Sequence, residues 1–389
     1  MALLTVDDCF FEIRNGANIK QGVVDGGYPI TRIETLSDDK FNRDRMGYAG
    51  ISDVEKYKEY VLAEGDLLMS HINSPKYLGR TVMYRAEEDE IVIHGMNLLK
   101  LKARKEIIEP AYAELLFYSP KVREQIGRIT KKSVNQASFS ASDLKKIKVD
   151  IPSIAEQLKI VQKMDIIKRI LGMRQDELKQ LDFLIKARFV EMFGDPQGNP
   201  LSFDKRMLRD TCTVITGNTP SRDVDEYYGD AIEWIKTDNI VSGLLYPTTA
   251  SEYLSEIGMG AGRTVDANAI LMACIAGSIA SIGRVCITDR KVAFNQQINA
   301  IVPQEYNVLF LYVMLQISKN YLVEEINMAL KGILSKSKLE EKMFIVPPMN
   351  QQNEFADFAI QVDKSKFAIQ KSLDETQLLF DSLMQEYFG

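Results

Sequence analysis

Only two histidines and one tryptophan occur among 389 residues, and the four cysteines never form a Cys-x-x-Cys pair. His71 and His94 are too few for a histidine-based triad or a histidine-rich metal cluster, and both fall in strand-like runs that suit a hydrogen-bonded core residue. The scatter of Cys9, Cys212, Cys274 and Cys286 fits neither a disulfide framework nor a zinc site, so reduced and mostly buried thiols are expected. No apolar run reaches about 18 residues, and "MALLTVDDCFFEIRNG" lacks the basic and apolar stretches of a signal peptide; a cytoplasmic location is the expectation. Missing too are a Gly-x-x-x-x-Gly-Lys-Ser/Thr phosphate loop and a Gly-x-Gly-x-x-Gly turn after a strand. The glycine-rich "GMGAGRT" at 258–264 lies ahead of a strand rather than at a strand-to-helix turn. An Asp/Asn-Pro-Pro-aromatic sequence, which would hold the amino group of a flipped base, is absent as well. No catalytic, metal or cofactor site is therefore expected in this chain.

The rest of the composition, 46% apolar and 26% charged, is that of an ordinary globular protein long enough for two or three modules. A net charge of −6 argues against nucleic-acid binding over the whole surface but leaves room for local basic faces.

The chain contains a repeat. At a constant offset of 195 residues, Ser140, Ser142, Leu144, Pro152, Gln157, Leu178, Leu184, Glu191, Phe193 and Gly194 recur as Ser335, Ser337, Leu339, Pro347, Gln352, Leu373, Leu379, Glu386, Phe388 and Gly389. Within each copy, apolar residues alternate at spacings of four and three, the seam of a coiled coil. The first seam is Ile160, Met164, Ile167, Leu171, Arg174, Leu178, Leu181, Ile185, Arg188 and Met192. The second is Phe355, Ala359, Val362, Lys366, Ile369, Leu373, Thr376, Phe380, Leu383 and Tyr387. Pro152, and Pro347 with Pro348, stand where a helix starts, and Gly194 and Gly389 where one stops. Each helix should run roughly 38 to 40 residues, about 60 Å. The polar breaks in the two seams fall at different heptads, which favours pairing of the two unlike helices within one chain over dimerisation.

The stretches ahead of the helices also echo each other. "NGANIKQGVVDGGYPITRIETL" resembles "TGNTPSRDVDEYYGDAIEWIKTDNI", and "LLMSHINSPKYLGRTVMY" resembles "ILMACIAGSIASIGRVCI". In both modules strands precede an amphipathic helix, "PAYAELLFYSPKVREQIGRI" or "VLFLYVMLQISKNYLVEEI", and then a Ser-x-Ser-x-Leu turn, so the fold class is α+β, twice over. The acidic "AEEDE" at 86–90 reads as a solvated hairpin tip.

Basic and amide side chains concentrate in loops. Lys20, Arg32, Lys40, Arg43, Arg45, Lys76, Arg80, Arg128, Lys131, Lys132, Asn135 and Gln136 do so in the first module. Arg222, Lys236, Asn239, Arg263, Arg284, Lys331, Lys336 and Lys338 do so in the second. Such groups contact phosphates through charge, and Arg, Asn and Gln can also read base edges, so each module is a candidate holder of one duplex segment.

"IPSIAEQLKIV" and "VPPMNQQNEFA", together with Gly217, Thr219, Pro220, Ser221, Trp234, Ile235, Lys236 and Asp238 and the Ser140–Leu144 turn, make the whole chain resemble the specificity subunit of a type I restriction-modification system. The second lead-in departs from the family's Glu-Gln by carrying Gln351-Gln352, and the first module lacks the Thr-Pro-Ser turn. The resemblance implies two similar target recognition domains, 1–150 and 195–345, separated by an antiparallel pair of spacer helices, 151–194 and 346–389, with pseudo-two-fold symmetry. It implies a bipartite double-stranded DNA target, read by a subset of these loop residues: Lys20, Arg32, Arg43, Arg45, Lys76, Arg80, Lys131, Lys132, Asn135 and Gln136 in the first domain, and Arg222, Lys236, Asn239, Arg284, Lys331 and Lys336 in the second. It further implies modification subunits that bring S-adenosylmethionine to methylate adenine, and restriction subunits that use ATP with Mg. The outer helix faces, with Lys168, Lys179, Lys186, Asp363 and Asp374, would receive the modification subunits. The chain itself would not be an enzyme. A structural coiled-coil dimerisation protein and a self-sufficient DNA nuclease are the alternatives.

Overall fold

The computed structural model describes residues 1–389 apart from 25, 26, 38, 39, 133–135, 325 and 327–331. The chain divides into two compact units, Met1–Met173 with Ser372–Gly389, and Arg174–Lys371.

In the first unit a four-stranded antiparallel sheet has the spatial order Phe10–Asn15, Leu98–Ala103, Leu67–Ser70, Thr81–Met83. Of its two inner strands, Leu67–Ser70 is buried along its whole length, as expected of a strand covered on both faces. The helix Pro110–Tyr118 packs on this sheet, and Ala2–Thr5 pairs with Lys148–Ile151, which ties the start of the module to its end. A small sheet joins Lys131–Lys132, Ala137–Ser138 and Ile72–Asn73.

The second unit repeats these parts. Its main sheet has the order Cys212–Thr216, Ile298–Pro303, Ile270–Ala273, Val285–Ile287; Lys205–Met207 pairs with Met343–Ile345, and Ile275–Ala276 with Gly332–Ile333. It also has a second four-stranded sheet, in the order Tyr253–Leu254, Tyr228–Ile235, Val292–Phe294, Thr264–Val265. At the same stage of the chain the first unit has, among the described residues, short pairs, Pro29–Ile30 with Gly47–Tyr48 and Leu36–Ser37 with Lys40–Phe41.

The two long helices are Ile154–Phe193 and Met349–Phe388, forty residues each, and both ends keep the 195-residue offset. In the first unit the start of the first helix packs with the end of the second, through Ile160, Met164, Met384 and Phe388. In the second unit the end of the first packs with the start of the second, through Phe189, Phe193, Phe355 and Ala359, so the helices are antiparallel. All twenty predicted seam positions are buried or half-buried. The polar ones are matched locally: Lys366 pairs with Asp182 at 2.7 Å, and Arg188 reaches Glu191 at 2.9 Å and Glu354 at 3.5 Å. Beyond the seam, aromatic residues anchor the helix ends in the module cores, with Phe193 4.9 Å from Phe310 and Tyr112 5.1 Å from Phe388 between ring centres.

The lead-in glutamines explain why one motif is written twice. Gln157 is fully buried; its carbonyl accepts from the Glu109 N–H at 2.8 Å and its amide donates to the Ile107 and Pro152 carbonyls, both at 2.9 Å. Gln352 does the same with the Asn307 N–H at 2.9 Å, the Glu305 carbonyl at 3.3 Å and the Pro347 carbonyl at 2.8 Å. In each unit this one amide holds the start of the module's helix against the start of a long helix, and satisfies backbone groups that would otherwise be buried unpaired.

Two expectations needed correction. Each amphipathic helix is two: Pro110–Tyr118 and Pro120–Ile129 in the first unit, Val308–Ile317 and Lys319–Val323 in the second. Proline at 120 has no N–H to continue the first helix, and the Ser119 hydroxyl caps the next by accepting from the Val122 N–H at 3.3 Å. The acidic tip at 86–90 is not merely solvated, because Glu90 takes a two-pronged ion pair from Arg43.

Candidate nucleic-acid interface

In the second unit the turn 217–222 lies against the strand Tyr228–Ile235. The Trp234 indole N–H donates to the Asn218 carbonyl at 3.3 Å, and the Tyr228 hydroxyl donates to the Pro220 carbonyl at 2.7 Å. Thr219 donates its hydroxyl to Gln296. This arrangement places the Arg222 guanidinium 4.4 Å from the Tyr228 ring centre and 5.1 Å from that of Trp234, while the Lys236 ammonium stands 5.1 Å from the Trp234 ring. Glu252 bridges the two cations, accepting from Arg222 at 2.6 Å and from Lys236. Lys236, followed by Arg222, holds the Glu252 carboxyl below the usual carboxylate range, so it is ionised at neutral pH.

Lys236 opens a single 3-10 turn, Thr237–Asn239, and Arg284 closes over the same turn by donating to the Thr237 carbonyl at 3.2 Å. Asn239 is buried; its side chain accepts from the Lys236 N–H at 3.0 Å and donates to Thr248 and Thr249, so it shapes the turn.

The first unit builds the same turn. Arg32 opens Ile33–Thr35, its N–H donating to the Thr35 hydroxyl at 2.9 Å, and Arg80 donates to the Leu36 carbonyl at 2.7 Å. Arg80 also lies 4.8 Å from the Tyr77 ring, with Lys76 5.4 Å away. Gly79 and Gly283, each ahead of its arginine, share φ +75°, a left-handed backbone that glycine takes without strain. The partner of Arg32 differs from that of Lys236: its Nε donates to the neutral Gln21 amide at 2.6 Å. Arg32, Gln21 and Tyr48 line an open hollow of about 300 Å³.

Arg32 and Arg80 thus bracket one turn, Lys76 and Arg80 share the Tyr77 ring, Arg222 and Lys236 share Glu252, and Arg284 bonds the turn that Lys236 opens. Lys20 and Arg45 are exposed and find no side-chain partner among the described residues; Lys131, Lys132 and Gln136 are exposed on or beside the small sheet. Lys336 begins a short helix capped by Ser335 and lies 3.6 Å from Glu340. Arg43 is held by Glu90 at 2.8 and 2.9 Å, by Glu87 at 3.1 Å and by the Arg85 carbonyl, which places it in the structure of the module. Asn135 and Lys331 lie outside the described residues. Sequence reasoning missed Gln21, Tyr228, Glu252 and Gln296; only the chain reversal that sets Glu252 beside Trp234 brings its carboxylate to the two cations.

The remaining buried polar groups are internal to the fold. His94 donates its Nε2–H to the Leu98 carbonyl at 2.9 Å, and burial pushes its pKa down to about 3. Burial also lowers the pKa of His71. Lys100 is fully buried, with its ammonium donating to the Glu59 carbonyl at 2.6 Å and 3.4 Å from Glu12. All four cysteines are buried free thiols, pushed up to about 11 at Cys9 and about 12 at the others. Among the described residues no cluster of His, Cys, Asp or Glu is placed to hold a metal ion, and no helix is long and apolar enough to cross a membrane.

Two modules, each presenting a cation-bearing turn and each pinned by a glutamine to a long helix, define a tandem-domain chain, and its sequence places it. Residues 8–181 and 200–376 each match the type I restriction modification DNA specificity domain, and the chain belongs to that family. It is 35% identical over 193 residues to a putative type I restriction enzyme MjaX specificity subunit of Methanocaldococcus jannaschii, a match covering 50% of this chain and 45% of that protein. It is 25% identical over 163 residues to the EcoKI specificity subunit of Escherichia coli, covering 42% and 35%. The matched stretch thus spans less than half the length of these relatives. In fold, the chain resembles the S subunit of a type I restriction-modification system from M. genitalium, with a TM-score of 0.58 at 13% identity, covering all of this chain and 96% of that one. A second solved chain, from a study of complex assembly and conformational transition of the type I system, gives the same TM-score at 14% identity, covering 97% of its length.

Proposed function

We propose that this chain is the DNA-reading subunit of a type I restriction-modification complex, each module reading one half of a split duplex sequence. The observation that carries this reading is the duplicated turn, Arg32 with Arg80 and Lys236 with Arg284, on modules that share one helix pair. Phosphate contacts from these cations and from Lys20, Arg45, Lys76, Lys131, Lys132 and Lys336 set register, and guanidinium or amide groups select bases. Two readers on one scaffold imply two half-sites at a fixed separation.

The chain acts without chemistry of its own. Modification subunits supply S-adenosylmethionine and methylate adenine, and restriction subunits use ATP with Mg, in the cytoplasm. The long helices offer the docking faces: Phe183, flanked on its helix by Lys179 and Lys186, and Phe367 on the other helix are 73% and 75% exposed. Apolar side chains of this size left in water suit a partner's surface. The heptad seams are filled within each unit, which disfavours a dimerising coiled coil.

Co-expression with a modification subunit, followed by mapping of methylated adenines, tests the proposal. A two-part motif with a constant gap is expected; a continuous motif, or none, would remove it.

A further inference from the structure

The second module holds its cations with a carboxylate where the first uses an amide, and we infer that Glu252 is a specificity gate, a positioning residue that keeps Arg222 and Lys236 occupied until a base edge, rather than phosphate alone, displaces it. The inference rests on the DNA-reading role proposed above.

Glu252 is fixed by the sheet, since its carbonyl accepts from the Trp234 N–H at 3.0 Å. Its carboxylate meets Arg222 at 2.6 Å and also Lys236, and both cations lie on the wall formed by Tyr228 and Trp234. One negative charge thus offsets half the positive charge of the Arg222–Lys236 pair. Non-specific binding to duplex DNA is driven by cations that displace condensed counterions, so a built-in carboxylate competes with every phosphate the face meets. Glu252 gives the Arg222 guanidinium one hydrogen bond, and a base edge with two acceptors gives it two, so correct sequence loses less to this competition than random sequence does. In the first module Gln21 orients Arg32 through a 2.6 Å bond to a neutral amide, which adds no negative charge beside that guanidinium.

The test measures binding of the full chain to random-sequence duplex DNA over a range of salt concentrations. Glu252→Gln keeps the side chain's shape and is expected to bind random DNA about five- to tenfold more tightly, with a salt slope steeper by about one. An unchanged or weaker affinity with an unchanged slope overturns the gate, because a residue needed only for folding would give that loss. Gln21→Glu provides an independent arm should Glu252→Gln not fold: it installs a carboxylate beside Arg32 and should make the slope shallower by about one, and no change overturns the inference. The double variant Arg222→Ala/Lys236→Ala separates the two levels. If it binds DNA as the parent does, the DNA-reading placement of this face fails; if it binds weakly while Glu252→Gln leaves the slope unchanged, only the gate fails.

Discussion

The two modules share a backbone plan and differ in how they hold their charges. Both pin a glutamine at the start of a long helix, both open a 3-10 turn with a base at Arg32 or Lys236, and both close it with an arginine at Arg80 or Arg284. The first module places polar or charged groups where the second has apolar ones: His94 precedes Gly95 where Phe294 precedes Asn295, and Lys100 sits on the inner strand Leu98–Ala103 where Ala300 sits on Ile298–Pro303. The second has an extra four-stranded sheet with Tyr228, Trp234 and Glu252 around its basic face. What is common to both is the scaffold and the pair of bases around one turn, and what differs lies around those turns and in the supporting core, as expected if each module reads a different half-site.

The largest effects should come from the shared pins. Gln157→Ala or Gln352→Ala leaves a buried N–H and two carbonyls short of partners, and each should cost about 3 kcal/mol in denaturant unfolding. Similar losses would establish the pins as equivalent; a neutral result at one would break the comparison.

Next comes pH, because both histidines lie in the first unit. His94 has a folded pKa of about 3, below its ordinary value of 6.5, so the unfolded chain takes up a proton that the folded unit refuses. Stability from the neutral ring is fully present above about pH 6.5 and falls as the medium is acidified toward 3. Between pH 6.5 and 5 the first unit should lose about 2 kcal/mol that the second keeps. Amide hydrogen exchange, read separately in the two units, checks this, and His94→Phe should remove most of the difference.

A smaller difference should separate the basic turns. Arg32→Ala is expected to weaken DNA binding about tenfold with a salt slope reduced by about one. Lys236→Ala should cost less, because Glu252 already offsets that charge in the free chain. The smallest effect is at Arg43: Arg43→Ala should lower stability by about 1 kcal/mol through loss of the Glu90 pair and leave DNA affinity unchanged.

Much of the scaffold was legible in the sequence. The 195-residue register marked both helices, and every residue of both predicted seams is at least half-buried, because a heptad is a local pattern that needs only the chain itself to be recognised. The faces were less legible. Arg43, Asn239 and Lys236 look alike as polar loop residues, yet Arg43 is clamped by Glu90 from 47 positions away, Asn239 folds into its own turn, and Lys236 meets Glu252 across the sheet. Partners so distant depend on chain reversals that no local spacing encodes.

The central claim is that the modules set the half-sites and the helices set the gap between them. Insert seven residues into both long helices at paired seam levels, co-express the variant with its modification subunit, and map the methylated adenines. The half-site bases should be unchanged and the unread gap should lengthen. Altered half-site bases with an unchanged gap would contradict the account.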